Sequence, residues 1–511
     1  MGIEGKLKGK SRYERRSAGR GRRRLAVWSI AFAVIIPLTC VAFMGCASNL
    51  ATGERHFNLI SEAQEIEMGR EADAQVIASL GLYPDSALQR YLQELGSRLA
   101  RNSERPNLPW TFRVIDDPAV NAFALPGGFI YATRGLMAHV MNEAQLAAVI
   151  GHEIGHVTAQ HSVHRMSEQQ LTQLGLGVGM ILKPDLQRYG DYVNAGLGLL
   201  SLKFSRDDEN QADHLGFRYM VRANEDPREM IEVFDMLSRV TEASGGGSVP
   251  EWLATHPSPT NRGEMLQKEL DTLSANPSTM TVNQNGYLRL LEGMVFGEDP
   301  RQGYFRDNRY FHPELEFEFT FPNNWKTSNL RAGVVAVSEN QEAVIQITLA
   351  QESSASEAAR VFFQQEGLES ERQEATTVNG LPTVSARFRA QDGEQALRGR
   401  AMFVDLQGNT YQLLAYSSEQ LWSGYESVTT DALRSFRHVT DPTVLSVHPM
   451  RLTILTVSQR VSLEQLSRQE RSPVMLELLA MLNQTEASAQ FNSGDRVKIV
   501  LGDVLASRSA Y

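Results

Sequence analysis

The pentapeptide His152-Glu153-Ile154-Gly155-His156 limits this chain more than any other stretch. It lies in a run starting near Asn142, where Leu146, Ala147, Val149, Ile150 and Ile154 fall on one side of a predicted helix. Residues four apart share a helical face, so both imidazoles can reach a single ion, and Glu153 is placed to touch a water held there. Zinc in such a setting lowers the pKa of that water toward neutrality, and Glu153 takes its proton. The competing reading is a solvated helix with two surface histidines. Gly151, Ile154 and Gly155 weigh against it, being too small and too apolar for a face turned to water.

A catalytic zinc site takes three protein ligands and keeps one position open. Both cysteines, Cys40 and Cys46, lie near the N-terminus, so a third ligand in the body of the chain must be histidine or carboxylate. Short spacing does not supply it: Ala159 and Ser162 stand where a metzincin pattern puts its glycine and third histidine, and His161 is one place out of register. Further on, a polar stretch from Ser205 to Asp213 opens another predicted helix, with Glu209 and Asp213 four apart. There Glu209 can bind the ion while Asp213 hydrogen-bonds and orients a ligand histidine. An ordinary helix surface produces the same spacing. His139, His161, His164 and His214 are assigned structural or surface roles.

With 511 residues the chain is long enough for several domains. Its 42% hydrophobic and 22% charged content excludes wholesale disorder and a polytopic membrane protein, and a net charge of -10 excludes a generally basic nucleic-acid binder. Residues 1–24 carry ten Lys or Arg against Glu4 and Glu14, and residues 25–44 are uncharged. Such a basic front and apolar follow-on read as an export signal, long enough to span a bilayer if it stays. Cys46 follows Phe43-Met44-Gly45, as in a bacterial lipobox, so either a lipid on Cys46 or an uncleaved anchor helix would tether the body outside the cytoplasm.

Past the tether, residues 61–100 read as two helices broken at Pro84-Asp85, residues 110–115 as a strand, and Ala122 to Leu125 and Phe129 to Ala132 as strands joined by Pro126-Gly127-Gly128. Gly-rich apolar stretches at 174–182 and 195–202 read as buried helices, and 244–248 as a flexible loop. Beyond Gly297 the pattern turns strand-rich, which sets off an α+β unit over 305–440. A strand-helix-helix-strand unit follows over 449–505.

The chain resembles the zinc metallopeptidases of peptidase family forty-eight, especially its BepA-like bacterial envelope lipoproteins. The resemblance runs from about Cys46 to Leu270 and rests on five motifs in order: Asn49-Leu50-Ala51-Thr52-Gly53, residues 121–128 (Asn-Ala-Phe-Ala-Leu-Pro-Gly-Gly), the His-Glu-x-x-His, Glu209 with Asp213, and Thr255-His256-Pro257-Ser258-Pro259-Thr260-Asn261-Arg262. It implies an α+β chain whose first domain, 46–297, is a mostly helical gluzincin with a small sheet. One zinc would sit on His152, His156 and Glu209, with Glu153 as general base. Asn121, Ala122, Phe123 and Ala124 would form an edge strand that pairs with an extended substrate. His256 would be a switchable fourth ligand, or else cap the next helix with Ser258 and Thr260. Arg262 would stabilise the oxyanion or form a structural salt bridge.

The second unit looks loosely like a PsbP or Mog-type domain and the last like a LysM module, which adds peptidoglycan to the expected partners. The expected function is a zinc endopeptidase on the periplasmic side of the outer membrane, acting on misfolded or stalled envelope proteins; an inner-membrane anchor facing the periplasm is the other placement. The competing function is a chaperone-like or wall-binding envelope protein with a largely latent site. Nucleic acid is not expected as a partner.

Overall fold

The computed structural model describes residues 46–58, 60–167, 203–243, 251–256, 262–392 and 395–503. The export segment, the two Gly-rich stretches, the loop at 244–248, and Ser258 and Thr260 lie outside the described residues. Among the described residues no helix is long and apolar enough to cross a membrane.

The first domain opens with a two-stranded hairpin, β1 (Cys46–Ser48) and β2 (Arg55–Phe57), followed by helices α1 (Glu62–Leu80) and α2 (Ser86–Ala100). Ser61 caps α1 in a capping box with Gln64, and Asp85 caps α2 through the amides of Ala87 and Leu88, so the Pro84-Asp85 break ends one helix and starts the next. A three-stranded sheet comes next, in the order β3 (Thr111–Ile115), β5 (Phe129–Thr133), β4 (Ala122–Leu125). β3 runs parallel to β5, and β4 antiparallel to it. Gly127 and Gly128, at φ 79° and 98°, make the β4–β5 turn in a conformation that side chains disfavour.

The short helix α3 (Arg134–His139) leads into α4 (Glu143–Thr158), capped by the Asn142 side chain, which accepts from the Gln145 amide at 2.8 Å. The sequence pattern put an apolar side on this helix. In the fold all sixteen residues of α4 are buried, His152, Glu153 and His156 included. Its partner α5 (Arg206–Arg222) lies so close that a Cβ on Gly155 would come within 2.8 Å of the Ala212 carbonyl oxygen, and one on Gly216 within 2.9 Å of the His152 nitrogen. Glycine at 155 and 216 is what lets the two helices approach closely enough for their side chains to meet. Helices α6 (Glu229–Ala243), α7 (Glu251–Thr255), α8 (Arg262–Thr272) and α9 (Gln284–Leu290) complete the domain.

The second unit is built on an eight-stranded antiparallel sheet. Its order is Leu368–Ser370, Leu381–Asp392, Gln395–Leu406, Asn409–Ser418, Ala343–Leu349, Gly333–Val337, Lys326–Leu330, with Glu374–Val378 also pairing Leu381–Asp392. Helix Ala355–Phe363 packs in one core on this sheet with Phe388 and Phe403, and helix Trp422–Leu433 in another with Val404 and Leu413.

The last unit pairs strand Arg451–Thr456 with Arg496–Leu501 around helices Leu463–Gln469 and Leu476–Leu482. Sequence pattern sets it apart from the first domain. In the structure its Leu452, Leu463, Leu479 and Ile499 belong to the same hydrophobic core as Leu146 and Ile150 of α4. The amide of Leu452 donates to the Met294 carbonyl at 2.8 Å, and that of Phe296 to the Met450 carbonyl at 2.8 Å.

At this junction Lys498 is fully buried and donates from Nζ to the carbonyls of Ala138 (2.7 Å) and Val140 (2.8 Å), satisfying backbone groups at the C-terminal end of α3. Burial pushes its pKa down to about 7 from 10.5. Between those values the folded chain sheds this proton while the unfolded chain keeps it, so stability rises with pH across the window, by up to about 1.4 kcal/mol per pH unit from this group. Thermal melts of Lys498→Met should lose that component of the rise from pH 7 to 10; an unchanged slope would contradict it.

Candidate metal centre

Helix α4 brings His152 and His156 to one face, and α5 sets Glu209 opposite them. The two Nε2 atoms lie 3.0 Å apart. Glu209 places Oε2 3.5 Å from His152 Nε2 and Oε1 3.5 Å from His156 Nε2. From the end of α7, His256 brings Nδ1 to 3.0 Å from Glu209 Oε1 and 3.4 Å from His152 Nε2. One ligand atom from each of these four side chains lies within 4.8 Å of the other three, and all four residues are buried.

The surroundings orient these groups. Asp213 Oδ1 is 2.8 Å from His152 Nδ1; a carboxylate can only accept, so His152 donates there and its Nε2 keeps a lone pair toward the cluster. Arg262 donates from Nε and Nη2 to the two Asp213 oxygens, both at 2.5 Å, with its guanidinium 4.4 Å over the Phe234 ring. The salt bridge expected as one of the two roles of Arg262 is therefore formed. Its Nη1 stays 3.5 Å from Glu209 Oε2. Burial works to raise Asp213, but Arg262 and His152 outweigh it and hold the carboxyl below its usual range.

Other shifts go the other way. Burial raises Glu153, and it raises Glu209 to about 7. Burial also holds His156 well below its ordinary value and His256 down to about 3. Glu153 and Glu209 thus resist charging, His156 and His256 resist protonation, and the Arg262 cation is committed to Asp213.

Glu153 points its Oε1 at the Trp252 indole N–H (3.1 Å) and at His256 Nε2 (3.6 Å). Trp252 stacks on His256 at 4.9 Å and 23°. Since Trp252 lies in α7 and His256 directly follows it, one short segment touches the carboxylate of Glu153 and the ligand cluster together.

β4 is the outer strand of its sheet and runs along α4. Asn121, expected as the first residue of the edge strand, precedes it, and its buried Oδ1 has no hydrogen-bond partner among the described residues. Ala122, Phe123 and Ala124 lie within β4. Backbone pairing of β1 and β2 holds Cys46 opposite Phe57.

Two residues near the cluster were not legible from spacing. His161 brings its Nδ1 to 2.9 Å from His156 Nδ1, from beyond the end of α4, where helical spacing gives no signal, and Trp252 has no motif around it. His214 stays at the surface on Glu269 (2.9 Å), and His139 is buried on the Gly135 carbonyl (2.7 Å).

A buried helix pair presenting His-Glu-x-x-His against a remote Glu is the layout of a metallopeptidase domain, and residues 86–270 match Peptidase family M48. Among curated proteins the chain is 31% identical over 239 residues to a beta-barrel assembly-enhancing protease of Yersinia pestis, covering 45% of this chain and 48% of that protein. It is 30% identical over 225 residues to the mitochondrial metalloendopeptidase OMA1 of Arabidopsis thaliana, covering 44% and 43%. The chain thus spans about half the length of the curated relatives it matches. Among solved structures, that of cyanobacterial PsbP from Synechocystis sp. PCC 6803 is similar at 16% identity and a TM-score of 0.22, covering 25% of this chain and 91% of that one.

Proposed function

We propose that the chain is a zinc-dependent endopeptidase of the bacterial cell envelope that hydrolyses misfolded or stalled envelope proteins. The convergence of His152, His156, Glu209 and His256 carries the reading. The donor set of imidazoles and carboxylate suits zinc, and Glu209 Oε2 is buried without a hydrogen-bond partner among the described residues, as a carboxylate waiting on a cation would be. His152, His156 and Glu209 hold the ion, with Asp213 fixing the His152 ring. Zinc bound there supplies Lewis acidity that polarises the scissile carbonyl and activates water.

The chain's own groups do the rest. Glu153 takes a proton from the attacking water and returns it to the leaving amine, with the Trp252 indole holding its Oε1. The outer edge of β4, unpaired among the described residues, receives the substrate backbone as an added strand, which holds a peptide whatever its side chains. Arg262 positions Asp213, and its Nη1 is the atom left for an oxyanion role.

His256 acts as a fourth ligand that closes the site, consistent with the burial of every member of the cluster. This favours a largely latent state, as in the chaperone-like reading. His256→Ala should raise hydrolysis of unfolded casein above wild type, and a chelator should abolish it in both. Activity of His256→Ala no higher than wild type rules out the latch; chelator-resistant hydrolysis rules out the metal reading.

Cys46 carries a lipid, or residues 25–44 an anchor helix, placing the body in the periplasm on the outer or the inner membrane. The unit at 305–440 presents substrate. The LysM-like unit at 449–505 contributes wall affinity; the full chain should be retained on purified sacculi, and no retention rules that assignment out.

A further inference from the structure

His152 has a carboxylate, Asp213, to fix its ring. The contacts around His156 differ: its Nδ1 faces His161 Nδ1 at 2.9 Å, and two aprotic nitrogens cannot bond to each other. The proton between them can be traced from outside inward. Glu54 presents a carboxylate that only accepts, and Gln211 turns Nε2 toward it at 3.4 Å, so the amide oxygen of Gln211 faces inward. That oxygen lies 2.9 Å from His161 Nε2 and also only accepts, so the proton there belongs to His161. A neutral His161 that donates from Nε2 has a bare Nδ1, which takes the proton of His156 Nδ1. His156 is left with its Nε2 lone pair beside that of His152, 3.0 Å away, a pairing that only a cation held by both rings reconciles. Phe204 covers its ring at 4.1 Å.

We propose that Glu54, Gln211 and His161 form a relay that locks His156 in its metal-binding tautomer, with His161 as a positioning residue. The assignment rests on the metal reading above. It gives the two ligand histidines different supports: His152 leans directly on a carboxylate tied to Arg262, and His156 on an imidazole whose far nitrogen meets the Gln211 amide at 2.9 Å and Asp208 Oδ1 at 3.8 Å, in a chain that ends at Glu54 in the hairpin loop between β1 and β2.

The test is zinc titration of the full-length, zinc-free chain against a chromophoric chelator, with thermal melts of the zinc-free proteins alongside. His161→Leu keeps bulk and removes the acceptor, and should weaken zinc binding by about 10–100-fold while leaving the zinc-free melting temperature near wild type. His161→Asn, whose carbonyl falls near the Nδ1 position, should recover most of the affinity. Gln211→Leu should weaken binding in the same direction by less, and it carries the test if His161→Leu does not fold. Wild-type affinity in His161→Leu, or equal weakening in the Leu and Asn variants, overturns the relay alone. A wild-type chain that takes up no zinc overturns the metal reading and the relay together.

Discussion

Glu153→Gln should give a folded chain that still loads zinc and yet hydrolyses unfolded casein about 10²–10⁴-fold more slowly than wild type, the usual contribution of a positioned general base. Glutamine keeps the shape of the side chain, and its amide oxygen can still accept from the Trp252 indole, so the packing of α4 against α7 is preserved. What is lost is the capacity to take a proton. The measurement is initial rate on fluorescent casein at matched zinc content. Near-wild-type hydrolysis would place the base elsewhere, and loss of zinc along with activity would mean that Glu153 holds the ion.

Glu209→Ala should remove zinc as well as activity, by more than the 10–100-fold typical of losing an outer partner, because it deletes a ligand atom. Metal content after dialysis reads this directly. The same variant has a zinc-free signature. Burial raises Glu209 to about 7 from 4.5, so in the absence of metal the folded chain binds this proton more tightly than the unfolded chain. That contribution is fully present below pH 4.5 and is lost as pH rises toward 7. The lowered His156 and His256 act with the opposite sign over part of this range, so the readout is the difference between the two proteins: zinc-free Glu209→Ala should gain stability relative to zinc-free wild type as pH rises from 4.5 to 7. Retained stoichiometric zinc in Glu209→Ala would separate the remote carboxylate from the paired imidazoles and end the hydrolase reading.

How far the centre was legible depended on whether its signal was local. His152 and His156 declare themselves through four-residue spacing on one helix, and the fold puts their Nε2 atoms 3.0 Å apart. The pairing of Asp213 with His152 follows from Glu209 and Asp213 sharing a face of the helix packed against α4. Trp252 and His161 act through tertiary contacts that no periodicity encodes. A tryptophan in a short helix looks like ordinary core until its indole is seen on Glu153, and His161 misses the register of a metal ligand. Strands such as Ala343–Leu349 were legible by alternation. The edge strand Lys326–Leu330 was not, since all five of its side chains are exposed and Leu330 alone among them is apolar, which leaves no alternation to read. The joining of the last unit to the first domain was invisible for a related reason: the bonds of Lys498 to Ala138 and Val140 link distant parts of the chain, and a lone lysine in a strand looks solvent-facing.

The β1–β2 hairpin has a bearing on where this site can work. Asn49 lies just after Cys46 and donates from its side chain to the Thr158 carbonyl at 3.0 Å, the last residue of α4. With the anchor on Cys46, as proposed, the leash therefore ends against the very helix that carries the imidazoles. Such a tether would hold the imidazoles within a short reach of the bilayer surface.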